Sequence, residues 1–397
     1  MIIPEVTMEL SRIAGEAEFV AISEGGKVIK AFFIPTAPIR GFEKLVKGKN
    51  PLFVIEAVKR ICGFCHSSHG IASAEAFEEA LGIYPPKDGF LLREVIGLLN
   101  RIQSHLAHLA LIAPDFIPRD RVPGFILEVL RVLEQVNAAL TRIGGAPTHP
   151  PNIVIGGVSK APTQSNLTAT VKGLRNVLAN VNELLQTIAD EDKWRDKAQA
   201  LKERKFTKTL LATHPTYGDR YAIDLSKIKL LRYAEVHAED PEAPEQLIKK
   251  ATTLVASYGG EYVEVGPRAR MSKFRGFNGP TLADIQLARL MEIPIALERV
   301  LNLLGEVNVK APTYVEAVIY RQGEGVGVYE APRGALIHRV KLGRDGRVED
   351  YSIIVPTEFL IPLIEEAATG IPEKAVDAVP RVFDPCVPCT THVIRLR

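Results

Sequence analysis

RICGFCHSSHG, residues 60–70, places Cys62 and Cys65 in a CxxC pair with His66 and His69 just behind it. The only other cysteines of the 397-residue chain, Cys386 and Cys389, form a second CxxC pair in DPCVPCTTH, residues 384–392. The fold turns on whether these pairs work together. If they serve one metal, sulfurs from the first and last sixths of the chain must meet in space.

Energetics permit that meeting. Thiolates rather than thiols bind metals, and two such charges ~4 Å apart repel by roughly 4 kcal/mol at an effective dielectric near 20. A metal ion removes the repulsion. Closing a loop of about 320 residues costs roughly 5 kcal/mol, less than the ~10–16 kcal/mol with which a structural zinc site forms. Paired CxxC motifs build structural zinc sites, usually with far closer pairs. A redox CxxC belongs in a thioredoxin-like βαβ setting, which the flanking sequence lacks. Soft sulfur ligation also suits nickel and iron.

The rest of the composition narrows the class. Hydrophobic residues make up 46% and charged residues 24%, as in a globular chain, and a net charge of +2 offers nothing to attract nucleic acid or an acidic membrane. The opening MIIPEVTMEL resembles no export leader, and no apolar run is long enough to span a bilayer, so no direct membrane insertion is expected. Four cysteines are too few for a secreted disulfide framework and fit a reducing, cytoplasmic setting.

Periodicity predicts mainly helices. Asp88 is expected to cap a long helix that Pro114 ends; a second runs from about Val122 to Ile143 and stops at Gly144-Gly145; a third begins near Ser165; a fourth covers about Leu282–Leu304 with a kink at Pro294. These four are expected to pack as a bundle. Glu18–Ile34 reads as a hairpin turning at Gly25-Gly26, and ALIHRVK with RVEDYSIIV as a meander turning at Asp345-Gly346. YAIDL (221–225), EYVEV (261–265) and TYVEAVIY (313–320) read as further strands. The expected class is α+β, helix-dominated, a central long-helix bundle with small peripheral sheets, in one unit spanning residues 1–397. Pro-rich APTHPP (146–151) reads as a rigid loop or a subdomain edge.

The two cysteine motifs resemble the paired metal signatures of nickel-iron hydrogenase large subunits. Further segments fall in that family's order: IRGFEKLVKGKNP (39–51), SHLAHLALIAPDF (104–116), NIVIGG (152–157), EVGPRAR (264–270) and EAPRGALIH (330–338). The resemblance implies reversible heterolytic cleavage of dihydrogen at a nickel held by all four sulfurs, beside an iron carrying CO and cyanide. By that resemblance Cys65 and Cys389 bridge the two metals, while Cys62 and Cys386 bind nickel alone. Cys386 is then a candidate base. Arg333 would reach over the open metal position, Pro332 would line the cyanide pocket, and Asp115 and Asp384 would hold the arginine. His69 would donate to a bridging sulfur, whereas His66 has no counterpart. Glu43 and His392 would hold a hard cation, commonly magnesium. His105 and His108, three apart on a helix, read as satisfied histidines.

One motif departs from the family. Where RIEGH is usual, this chain has Arg12-Ile13-Ala14-Gly15-Glu16, so alanine replaces the glutamate that relays protons from the terminal cysteine. Glu16 is expected to substitute for it. Once four cysteines hold the metals, none is left for an electron-carrying cluster. The resemblance therefore implies an iron-sulfur small subunit, with further electron-transfer subunits reaching nicotinamide, deazaflavin or another soluble carrier. It also implies a maturation protease, cutting here between His392 and Val393. The rival readings are a non-catalytic or sensory relative and a structural zinc scaffold; metal analysis separates them.

Overall fold

A computed structural model describes residues 5–318 and 321–392, with side chains from Leu10 onward. Its five longest helices are α1 (His66–Leu81), α2 (Lys87–Phe116), α3 (Val122–Gly144), α4 (Gln164–Ala189) and α5 (Leu282–Glu306). The last four pack in a ring, α2 on α3, α3 on α4, α4 on α5 and α5 on α2, as the bundle expectation requires. Burial follows the 3.6-residue period. On α4, Leu167, Leu174, Val181, Leu185 and Ile188 are buried along one stripe and belong to a single contiguous apolar core.

Helix ends follow local chemistry, with two corrections. The residue capping α2 is Pro86, not Asp88, whose carboxylate instead accepts the amide of Asn308 just beyond α5 at 2.6 Å. Nor does Pro114 end α2. A proline forfeits only its own bond to the carbonyl four residues back, and the helix continues to Phe116, with the Ile117 amide bonded to Ala113 O. Gly145 closes α3 at φ 90°, a conformation that favours glycine. Thr163 opens α4, its hydroxyl accepting the Asn166 amide.

Two three-stranded antiparallel meanders flank the helices. The first joins β1 (Glu5–Glu9), β2 (Ala17–Glu24) and β3 (Lys27–Pro35), turning at Gly25-Gly26 with both φ angles positive. Two short ribbons follow, β4 (Ile153–Val154) with β5 (Gly157–Val158), and β6 (Ile228–Arg232) with β7 (Leu254–Tyr258). The second meander is β8 (Gly323–Ala331), β9 (Gly334–Leu342) and β10 (Val348–Ile354).

Three strand expectations fail for readable reasons. In YAIDL, the side chains of Asp219 and Asp224 accept amides two residues on and wind the segment into single 3-10 turns. EYVEV and the described part of TYVEAVIY make only isolated bridges, such as Leu210 to Glu264 and Gly157 to Tyr314. Ile319 and Tyr320 lie outside the described residues. APTHPP closes back on the bundle, since the Asn152 amide bonds Gly144 O and the Gln103 amide side chain bonds Pro147 O.

Strand β8, GEGVGVYEA, is the element that positions the site. A Cβ on Gly323, Gly325 or Gly327 would stand 2.0, 2.0 or 1.9 Å from the carbonyl oxygens of Ala80, Ala76 and Ala72. Every second strand residue thus meets every fourth residue of α1. Bare backbone lets that helix, which follows the first CxxC pair, lie directly on the sheet. The hairpin at the end of β8 has only two residues, Pro332 and Arg333, between the paired Ala331 and Gly334, so Arg333 projects from a short, fixed turn.

Candidate metal centre

The first CxxC pair precedes α1, with Cys65 at its N-cap, and the amides of Phe64 and Cys65 donate to Cys62 Sγ at 3.2 and 3.3 Å. Cys386 caps a short helix, Val387–Thr390, which holds Cys389. Just before it, Asp384 adopts φ 58°, a left-handed conformation that turns the chain inward. The two ends do meet. Cys62 Sγ lies 3.2 Å from Cys386 Sγ, Cys65 Sγ 3.2 Å from Cys389 Sγ, and all four sulfurs fall within 4.8 Å of one another, buried. Metal–thiolate bonds of ~2.3 Å put sulfurs on opposite sides of one ion up to ~4.6 Å apart, so the cluster fits a single four-sulfur ion.

Backbone clamps hold this junction. Arg40 donates its amide to Thr391 O (2.8 Å), and its guanidinium bonds Thr391 Oγ1, Ile61 O and Pro388 O. Ala14 forms a parallel bridge with Cys386, its carbonyl accepting the Val387 amide at 2.9 Å. One segment from each end and the loop before α1 therefore share one set of hydrogen bonds.

Burial opposes ionisation of Cys62, but hydrogen bonds from Cys386, Cys389 and Cys65, with the charge of Arg333, hold it well below the usual thiol value. Cys65, through its hydrogen bond to Cys386, and Cys389, through burial, are pushed well above it. Cys62 is thus favoured as the anion over Cys65 and Cys389, the pattern of a site that needs a cation to ionise fully.

Arg333 stands beside the sulfurs. Its Nε donates to the Asp384 carbonyl (2.6 Å), its Nη2 to Asp384 Oδ1 (2.9 Å), its Nη1 reaches Ser104 Oγ at 3.4 Å, and the guanidinium lies over the Phe64 ring. Burial works against this charge, but Asp384 and the thiols outweigh it and raise the arginine pKa; burial likewise opposes ionisation of Asp384, which Arg333 and His108 overcome. Asp115 is a correction: it does not touch Arg333. Its carboxylate takes two bonds from Arg381 (2.6 and 3.1 Å) and one from Arg12 (2.8 Å), because the last turn of α2 points it at those guanidinium groups.

His69 lies beside the cluster, with Nε2 3.6 Å from Cys389 Sγ. A small enclosed cavity lies among Cys65, Cys386, Cys389, Leu336, Val355 and Pro356, with Ala331 and Arg333 also at its wall, and the carbonyl of Pro332, between those two, accepts from Arg270 at 3.0 Å. Thr357 also lines the cavity and accepts the Cys386 amide, a role no sequence signal announced. His66, next to Cys65, turns its ring nitrogens to Ser67 and Gln103. His105 bonds Glu292, as a satisfied helix histidine should. His108 does more: Nδ1 lies 3.3 Å from Asp384 Oδ1, the acid that holds Arg333.

The C-terminal histidine closes a second cluster. His392 is buried, neutral because burial lowers its pKa to about 4, and both ring nitrogens face carbonyl oxygens, Nδ1 that of Cys389 and Nε2 that of Ile353 at 2.8 Å. A neutral imidazole can donate to only one of them. The other contact opposes two lone pairs, with Glu43 Oε1 3.7 Å and Glu358 Oε1 3.9 Å from Nε2, an arrangement that suits a small hard cation between them. Glu358 was not foreseen. Glu16 is exposed two residues beyond Ala14, and Val393–Arg397, with the expected protease cut, lie outside the described residues.

A family profile described as nickel-dependent hydrogenase matches residues 40–120 and 286–392. The alpha subunit of the coenzyme F420 hydrogenase of Methanocaldococcus jannaschii is 36% identical over 97% of this chain and 92% of its own length. That of Methanothermobacter thermautotrophicus is 34% identical over 97% and 93%. Among solved structures, the Ni-Fe-Se hydrogenase of D. vulgaris Hildenborough superposes with a TM-score of 0.84 at 24% identity, covering 98% of this chain and 100% of the other.

Proposed function

This chain belongs to the nickel-dependent hydrogenase family, as a large, catalytic subunit, and on that footing we propose how its residues divide the work. The observation that carries the reading is the convergence of four buried sulfurs from both ends of the chain. Cys62, Cys65, Cys386 and Cys389 would hold the metal pair, Cys62 and Cys386 as ligands of nickel and Cys65 and Cys389 as ligands of both nickel and an iron that would carry CO and cyanide. When bound, the metal pair supplies the electron-rich centre that a ligand as weak as dihydrogen needs for heterolytic cleavage.

The protein supplies position and proton handling. Arg333, fixed by Asp384, presents a positive charge at the wall of the cavity beside the sulfurs, where dihydrogen would be split, and Cys386 would be the first proton acceptor. Glu16 carries protons onward through water in place of the missing glutamate at position 14. Glu43, His392 and the Ile353 carbonyl would hold magnesium, which would tie His392 to β10. The predicted test of the proton route is Glu16→Gln, which lowers hydrogen/deuterium exchange; full exchange activity removes Glu16 from it.

Electrons leave through an iron-sulfur small subunit, since all four cysteines are engaged. The relatives' names support a deazaflavin, coenzyme F420, as the final acceptor, reached through further subunits in the cytoplasm. No helix of the described residues is long and apolar enough to cross a membrane. Purified complex is expected to contain nickel, to show infrared bands of CO and cyanide, and to reduce F420 with dihydrogen. Reduction of nicotinamide alone would move the acceptor assignment, and zinc in place of nickel would remove the catalytic one.

A further inference from the structure

Asp384 and Ser104 hold Arg333 at the tip of its side chain, and a separate buried network holds it at the root. The two carbonyl oxygens just before it in the chain, those of Ala331 and Pro332, each accept from Arg270 at 3.0 Å. Arg270 belongs to the helix Pro267–Arg275, whose N-cap, Gly266, has φ 101° and lies against the backbone of Arg333: a Cβ on it would stand 2.7 Å from Arg333 O. Helix start and hairpin turn are thus in backbone contact. The Arg270 amide bonds Gly266 O, so the guanidinium that reaches the turn comes from the first turn of that helix.

Donor counting leaves this guanidinium no freedom. Arginine has five N–H donors and no acceptor, so the direction of every bond is fixed. Nε and one Nη2 hydrogen go to the two oxygens of Glu292 at 2.6 and 2.8 Å, one Nη1 hydrogen goes to Glu330 Oε2 at 3.0 Å, and the other two go to the turn carbonyls. All five are spent. Glu292 comes from α5 and Glu330 from β8, and Glu330 Oε1 accepts the amide and hydroxyl of Thr213 at 2.7 and 2.9 Å. Arg101 on α2 clamps the same strand, donating to Glu330 O at 2.6 Å and to Thr216 O at 2.7 Å. Arg101, Arg270, Glu292 and Glu330 are buried, two charges of each sign, so the set is neutral as a whole.

We propose that Arg270 is a positioning residue for Arg333, fixing the β8–β9 turn and with it the direction in which the Arg333 guanidinium projects toward the sulfurs. Asp384 grips only the far end of a flexible side chain, and Arg270 fixes the backbone from which that side chain starts. The inference rests on the reading of Arg333 as the charge beside the cavity where dihydrogen would be split.

A double-variant cycle on the purified complex tests this, with exchange activity expressed per nickel. Arg270→Lys keeps the charge but has three donors for five acceptors. It is expected to lower hydrogen/deuterium exchange about tenfold in the wild-type background, and hardly at all on top of Arg333→Met, where no charge is left to position. Deuterium uptake by backbone amides, read by mass spectrometry, is independent of turnover: peptides covering residues 330–336 should take up deuterium faster in Arg270→Lys, while those of α3 should not change. No loss in the wild-type background, an equal loss in both backgrounds, or unchanged uptake at the turn overturns the inference. If Arg270→Lys does not load nickel, Glu292→Gln decides in its place. That change keeps the shape of the acid but gives up one of the two oxygens that accept from Arg270, and is expected to cause a smaller loss with the same dependence on Arg333. An Arg333→Met variant as active as wild type, with its CO bands in place, would instead overturn the role of Arg333 itself, a result distinct from the others.

Discussion

Arg333 keeps a positive charge in a buried place because one aspartate serves it twice, through its backbone carbonyl and its carboxylate. Asp384→Ala should therefore lower stability by about 3–5 kcal/mol, the usual cost of stranding a buried charge, and abolish exchange activity. Arg333→Lys keeps the charge but loses the fork, and is expected to reduce hydrogen/deuterium exchange on the order of 10²-fold, as for loss of one preorganised donor, while the protein stays folded. Asp115→Ala separates the two acids: chemical denaturation should show a loss of about 1–3 kcal/mol, since Arg381 loses its buried partner but keeps Asp377, with the Arg333–Asp384 pair intact. The cysteines, Arg333 and His69 were legible because residue type and motif together constrain them. Asp115 was misplaced because a motif states which residues matter, not which guanidinium a helix end will point toward. His108 was read only as a satisfied helix histidine, and Thr357 and Glu358 went unassigned, because a histidine, threonine or glutamate in an apolar setting carries no mark of its partner until the chain folds.

Among elements, the contact of α1 with β8 decides whether the first cysteine pair is held against the second. Gly325→Ala forces a methyl to within 2.0 Å of Ala76 O, and since backbone lies on both sides the strain cannot be relieved by a rotamer. We expect a loss of about 3 kcal/mol or more, read from urea melts, and reduced metal content in what remains folded. An alanine variant as stable as the parent would mean that α1 can lift from the sheet. The glycines also explain why β8 escaped the sequence reading: alternating glycine lowers β-propensity, and the reason for it lies in a helix some 250 residues earlier. The long helices and both hairpin turns were legible because their periodicity and glycine pairs are local signals. YAIDL misled because apolar alternation outweighed the aspartates that wind it into turns.

Over the whole molecule, closure of the termini depends on buried histidines remaining neutral. Burial lowers the pKa of His66, His105 and His392 to about 4 and of His69 to about 3, all below the unfolded value near 6.5. The unfolded chain then binds protons that the folded one refuses, so stability present above about pH 6.5 is lost as pH falls toward 4, at up to about 1.4 kcal/mol per pH unit for each histidine. Urea midpoints should drop between pH 7.5 and 5.5, and His105→Gln, remote from the sulfurs, should flatten part of that slope. The account as a whole stands on one nickel ion inside a cage made by both ends of the chain. X-ray absorption at the nickel edge of the purified complex measures this directly: one nickel per chain with a four-sulfur shell and an iron neighbour is the predicted result, and zinc in that cage, or nickel bound only by nitrogen and oxygen, would contradict it.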